Sequence, residues 1–91
     1  MRQVWKYELP LADEIRLELP LGSKILHFGN QRDRPCIWAL VSTDQKGTGE
    51  YRFRLAGTGH EIRENMNQLE YIGTALFKRG ALVLHLFELI S

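Results

Sequence analysis

Cysteine is nearly absent from this chain: Cys36 is the only one in 91 residues. No intrachain disulfide can form, whereas small secreted domains commonly depend on several. Neither sign of charge is in excess. Twelve Lys and Arg stand against eleven Asp and Glu, a formal net charge of +1. That argues against broad electrostatic capture of nucleic acid or a membrane surface and leaves only a local basic patch as a route to either. It also sets no charge barrier to self-association. Long apolar runs are missing, since nothing approaches the roughly 20 residues that span a bilayer. The opening Met1-Arg2-Gln3-Val4-Trp5-Lys6 turns polar at once, without the basic-then-apolar layout of a secretory leader. The expected location is the cytoplasm.

What is present is an ordinary globular balance, with 44% hydrophobic and 25% charged residues. The length predicts one domain over residues 1–91. A chain this short buries only about two-thirds of the surface it exposes when unfolded, so its margin of stability is thin.

The apolar pattern has a period of two, the signature of half-buried strands. Trp5, Tyr7 and Leu9 alternate with Val4, Lys6 and Glu8, up to Pro10. Ile15, Leu17 and Leu19 alternate with charged residues up to Pro20, and Leu21-Gly22 makes a turn. Lys24 to Gly29 is a third strand, followed by a polar hairpin loop, Asn30 to Pro35. Cys36 to Val41 is apolar on both faces and is expected to be the most central strand. Thr43 to Gly49 is a polar connection. Tyr51, Phe53 and Leu55 alternate with Arg52 and Arg54. Gly57 to Gln68 reads as a structured loop with one short helical turn, pinned by Ile62 and Met66 at i, i+4. Tyr71 to Phe77 resumes the strand pattern, Lys78-Arg79-Gly80 turns, and Ala81 to Leu89 is a long apolar last strand. The expected fold is all-β: about seven mostly antiparallel strands, linked as a meander, in a small barrel or two-layer sandwich. A strand as apolar as the last one either lies centrally or presents its outer face to another subunit.

The ordered segments Lys6-Tyr7-Glu8-Leu9-Pro10, Ile15 to Pro20, Cys36-Ile37-Trp38-Ala39-Leu40-Val41, Gly57-Thr58-Gly59-His60, Leu69-Glu70-Tyr71-Ile72-Gly73-Thr74 and Gly80 to Glu88 together resemble a known family. It is a family of small uncharacterised phage, prophage and bacterial proteins, a domain of unknown function. The resemblance covers nearly the whole chain and brings no catalytic or ligand-binding residues with it. It implies an accessory factor, working in the cytoplasm of a bacterial host, that binds something host-derived.

The sharpest local feature is Gly57-Thr58-Gly59-His60. Glycines one apart allow left-handed backbone and let N–H groups converge on an anion. Thr58 adds a hydroxyl and His60 an imidazole, while Arg52, Arg54 and Arg63 supply nearby positive charge suited to phosphate. These seven residues are the candidate site for a phosphate or nucleotide-like ligand. The plainer reading is a strand-exit turn, because the loop lacks both the full dinucleotide fingerprint and a Walker lysine.

His27, His60 and His85 lie far apart without the short ligand spacing of zinc sites, so no metal or other cofactor is expected. Cys36 reads as a small buried hydrophobe. No carboxylate pair stands out as an acid/base couple, and no catalytic residue is assigned. Arg32-Asp33-Arg34 is a charged hairpin tip that could touch phosphate, but its first reading is a solubilising loop. Tyr51 and Phe53 alternate away from Arg52 and Arg54, which argues against base stacking there and against nucleic acid as the partner. The expected function is a non-enzymatic binding module that self-associates through its C-terminal strand and engages a host protein or a small anionic ligand. The alternatives are a small hydrolase or other enzyme using His60 with Thr58 or an acidic neighbour, or a structural and assembly subunit.

Overall fold

Alternating residues give a strand wherever the pattern runs, and a computed structural model, which describes residues 1–90, contains seven: β1 (Arg2–Glu8), β2 (Glu14–Pro20), β3 (Lys24–Gln31), β4 (Arg34–Ser42), β5 (Thr48–Gly57), β6 (Leu69–Phe77) and β7 (Leu82–Leu89). They form two antiparallel sheets, in the orders β1-β4-β3 and β2-β5-β7-β6. The Cα extents of 40 × 31 × 16 Å fit two layers packed about 10 Å apart. The fold is a sandwich and not a closed barrel. No helix among the described residues is long and apolar enough to cross a membrane.

The chain is not a meander. Only β3–β4 and β6–β7 are hairpins; β1 pairs with β4, and β2 with β5. The connection from β5 to β6 skips β7 and crosses over, so β5 and β6 run in the same direction. Its only helical element is a 3₁₀ turn at Met66–Gln68. Met66 is 90% exposed, so the expected Ile62–Met66 pin does not form.

Phe28, Ile37, Phe53 and Leu86, each at most 1% exposed, meet between the layers with Leu9, Ile15 and Phe77. β4 is the middle strand of its sheet, as its two apolar faces predict. β7 is also internal, between β5 and β6, and its inward Leu84 and Leu86 are buried in the core, while Val83, His85 and Phe87 on its outer face are only half-buried. β1 departs from expectation: Trp5 and Val4 are 39% and 53% exposed, and only Tyr7 within the strand is half-buried. The reason is position. β1 is an edge strand, and the core lies beneath Tyr7 and the following Leu9.

β3 and β6 are the neighbouring edges of the two sheets, and each carries a bulge, at Ile25/His27 and at Tyr71/Gly73. At Gly73 a Cβ would lie 3.4 Å from that of Phe28, so glycine permits the close approach. The turns at the far end of these strands also interlock. Asn30 Nδ2 donates to the Leu76 carbonyl (2.8 Å), and the Lys78 N–H donates to Asp33 Oδ1 (2.7 Å). The loop expected over Asn30 to Pro35 is in fact a two-residue turn, Arg32-Asp33, with φ of 54° and 64°. Lys78 and Arg79 are also left-handed, at 50° and 56°. Such conformations cost L-residues of order 1–2 kcal/mol each.

Candidate functional site

β5 ends at Gly57, and the chain turns through Thr58 and Gly59, whose φ is +88°. Only glycine holds that angle without strain. Gly57 has a different role, because a Cβ there would lie 2.9 Å from His60 Cε1. The imidazole therefore rests on Gly57. Two backbone donors that could face an anion are already used: the Thr58 N–H donates to the Val83 carbonyl (3.3 Å) and the His60 N–H to the Gly57 carbonyl (3.0 Å).

Of the seven residues singled out in the sequence, Arg54, His60 and Arg63 line one cleft of about 360 Å³, together with Asp13 and Glu61. His60 also borders a smaller apolar hollow of about 190 Å³, formed with Leu11, Leu55, Leu82 and Leu84. The arginines are not free. Arg54 makes a double contact with Glu64 of the crossover, through Nε to Oε1 (3.0 Å) and Nη2 to Oε2. Those side chains are only 16% and 19% exposed. Hydrogen bonding to Arg54 holds the Glu64 carboxyl below its ordinary range. Arg52 Nε lies 3.5 Å from Glu14, outside the cleft lining, and Arg63 Nε lies 3.5 Å from Glu61. The cleft is of mixed charge rather than cationic.

Thr58 points elsewhere. Its Oγ1 is 2.7 Å from His85 Nε2, and His85 Nδ1 is 2.9 Å from Thr74 Oγ1, which in turn is 2.6 Å from the Tyr71 hydroxyl. The result is a four-residue chain of hydrogen bonds across the outer face of β5, β7 and β6. Period two would place Tyr71 and Thr74 on opposite faces; the bulge between Tyr71 and Gly73 brings both outward. No pattern in the sequence signals this chain, because it depends on the bulge and on β7 lying between β5 and β6.

The three histidines occupy separate places. His27 stands on the outer face of the three-stranded sheet beside Trp38, at a ring-centroid separation of 5.7 Å. His60 follows the end of β5, and His85 is on β7 of the same four-stranded sheet, tied to Thr58 and Thr74. Among the described residues no three His, Cys, Asp or Glu side chains gather as a metal would require. Cys36 is buried, and that burial pushes its thiol pKa up. A second cleft, of about 400 Å³, opens between the sheets at Tyr51, Glu70 and Glu88. Burial, with Glu70 directly opposite, raises the Glu88 carboxyl.

No curated protein and no solved structure matches the sequence. A family model described as Domain of unknown function (DUF7352) matches residues 1–91, and the chain belongs to that family.

Proposed function

We propose that this chain is a non-enzymatic binding module that self-associates through the outer face of β6 and β7. The observation that carries the reading is the character of that face. Its outward residues are Tyr71, Thr74 and Leu76 on β6 and Val83, His85 and Phe87 on β7, with no Asp, Glu, Lys or Arg among them. Tyr71 and Leu76 are each 59% exposed, and Val83 lies directly opposite Leu76. Apolar surface of this kind gains from being covered. The hydroxyls of Thr58, Thr74 and Tyr71 can both donate and accept, so the polar stripe complements a second copy of itself. A net charge of +1 leaves little repulsion between copies.

This reading is preferred to an anion pocket at His60, where Arg54 would first have to leave Glu64 and the lining is of mixed charge. It is also preferred to a Thr58–His60 hydrolase, because the Thr58 hydroxyl is engaged with His85. A phage-type accessory role in a bacterial cytoplasm is the context that the sequence resemblance adds to the proposal. Sedimentation equilibrium at micromolar protein tests it. A dimer or larger species that Leu76→Glu converts to monomer, with an unchanged far-UV spectrum, supports the reading. A wild-type monomer ends it.

A further inference from the structure

The two interlocked turns hold positive charge in a way that turn geometry does not ask for. Arg32, Lys78 and Arg79 occupy left-handed positions, where glycine or asparagine is the unstrained choice. All three are exposed, and among the described residues none of them makes an ion pair. Asp33 and Asn30 bind the two turns to each other and so keep these cations at one end of the sandwich.

That end is continuous with the outer face of the three-stranded sheet. Cross-strand register places Arg2, Lys6, Lys24 and Arg34 outward there, with Arg34 in an ion pair (2.9 Å) with Glu8, the single carboxylate of that face. A chain of net charge +1 thus concentrates its cations on one surface. At the centre of this face, half-buried Trp38 lies between Lys6 on β1 and His27 on β3. The rings have room because residue 29 is glycine: a Cβ there would lie 2.9 Å from His27 Nε2 and 3.5 Å from Trp38 Cζ3. Arg34, Cys36 and Trp38 alternate outward along β4, so Trp38 sits about 13 Å from the basic end at strand spacing.

We infer that this surface binds single-stranded nucleic acid, with phosphates at the twin turns and a base stacked on Trp38. Cations that track a backbone beside an aromatic platform are the recurring means of holding unpaired strands. The Trp38 face belongs to the sheet opposite the self-association face, while Lys78 and Arg79 lie in the turn that joins β6 to β7; the two proposals are read by different measurements, so either can fail without the other.

The test is fluorescence anisotropy of the full chain with a labelled oligothymidine of about 12 nucleotides, within the length a small β domain covers. Three unpaired cations together with Lys6 predict that log K falls with log salt at a slope of about −2 to −3. The double variant Arg32→Gly/Arg79→Gly is expected to reduce that slope by about 1.4. It is also expected to raise the urea midpoint, because glycine relieves the left-handed strain, so weaker binding cannot be ascribed to unfolding. Trp38→Leu is expected to weaken binding about tenfold with the slope unchanged, the size of one lost stacking contact. The inference is overturned by absence of binding at low salt, by an unchanged slope in the double variant, or by equal or tighter binding of a duplex of the same length or of phosphatidylglycerol vesicles.

Discussion

Replacing Gly57 with alanine separates two roles for the Gly57–His60 loop. Gly57 lies within β5, paired with Leu84, and its φ is not among the left-handed values, so alanine fits the backbone. The obstacle is the His60 ring, with Cε1 at 2.9 Å and Nδ1 at 3.0 Å from the added Cβ. Contacts between such atoms are best at about 3.5–4.0 Å, so the ring must move by several tenths of an ångström. His60 is exposed and can swing outward, but it leaves its seat on Gly57 and its rotamer, at about 0.5–1.5 kcal/mol. Against that, Gly→Ala stabilises by about 0.4–1 kcal/mol through the unfolded chain where the backbone allows it. In wild type the two effects oppose, and Gly57→Ala is expected to be neutral or to cost up to about 1 kcal/mol. In a His60→Ala background the clash is gone, and the same change is expected to stabilise by about 0.4–1 kcal/mol. The assay is a double-mutant cycle read by urea unfolding, with an expected coupling of about 0.5–1.5 kcal/mol. If Gly57→Ala shifts stability equally in both backgrounds, the ring does not rest on the glycine and the structural account of this loop is refuted.

Gly59 answers differently, since its φ is +88° and no atom lies within 4 Å of an added Cβ. Gly59→Ala is expected to cost about 1–2 kcal/mol from backbone strain alone, and Gly59→Asn less; equal losses in urea melts would contradict a conformational role. The lowered pKa of Glu64 makes the Arg54 pair a pH-dependent clamp. Its stabilisation is complete above the ordinary glutamate pKa of about 4.3 and fades as pH falls through the lower folded value. Glu64→Gln is therefore expected to lose about 1–2 kcal/mol at neutral pH and nearly nothing at the lowest pH, with parallel wild-type and variant stability curves as the refuting result. Glu88 has the opposite sign. Its raised pKa means that the folded state binds the proton more tightly, so the ionised form weighs against folding at neutral pH. Thermal melts of Glu88→Gln should show a higher midpoint at pH 7 and no gain in acid; an unchanged midpoint at pH 7 would count against the burial argument.

The amino-acid sequence by itself determined where the strands lie. Alternation is local, and Pro20, Gly22 and Gly80 mark ends and turns through their own backbone restrictions. It also identified β4 as an interior strand, because a strand apolar on both faces has few other stable positions, and left β7 as either interior or facing another subunit; the strand order makes it interior to its sheet. Of the candidate site, it brought out Arg54, His60 and Arg63, which do share a cleft, but not the glutamates that occupy their charges. What only the tertiary structure decided is everything that depends on which strand lies beside which. β1 pairs with β4 rather than β2, leaving Trp5 exposed at an edge. The bulge before Gly73 turns Thr74 toward His85, and Thr58 reaches the same histidine from the far side of β7. The docking of Asp33 on Lys78 turns two ordinary-looking hairpin tips into a single cationic end. The physical reason is common to all of these. Periodicity reports which face a residue takes within its own strand, whereas pairing across the sheets is set by the best joint burial of the whole core. A single unpaired residue at a bulge then reverses the faces of everything that follows it.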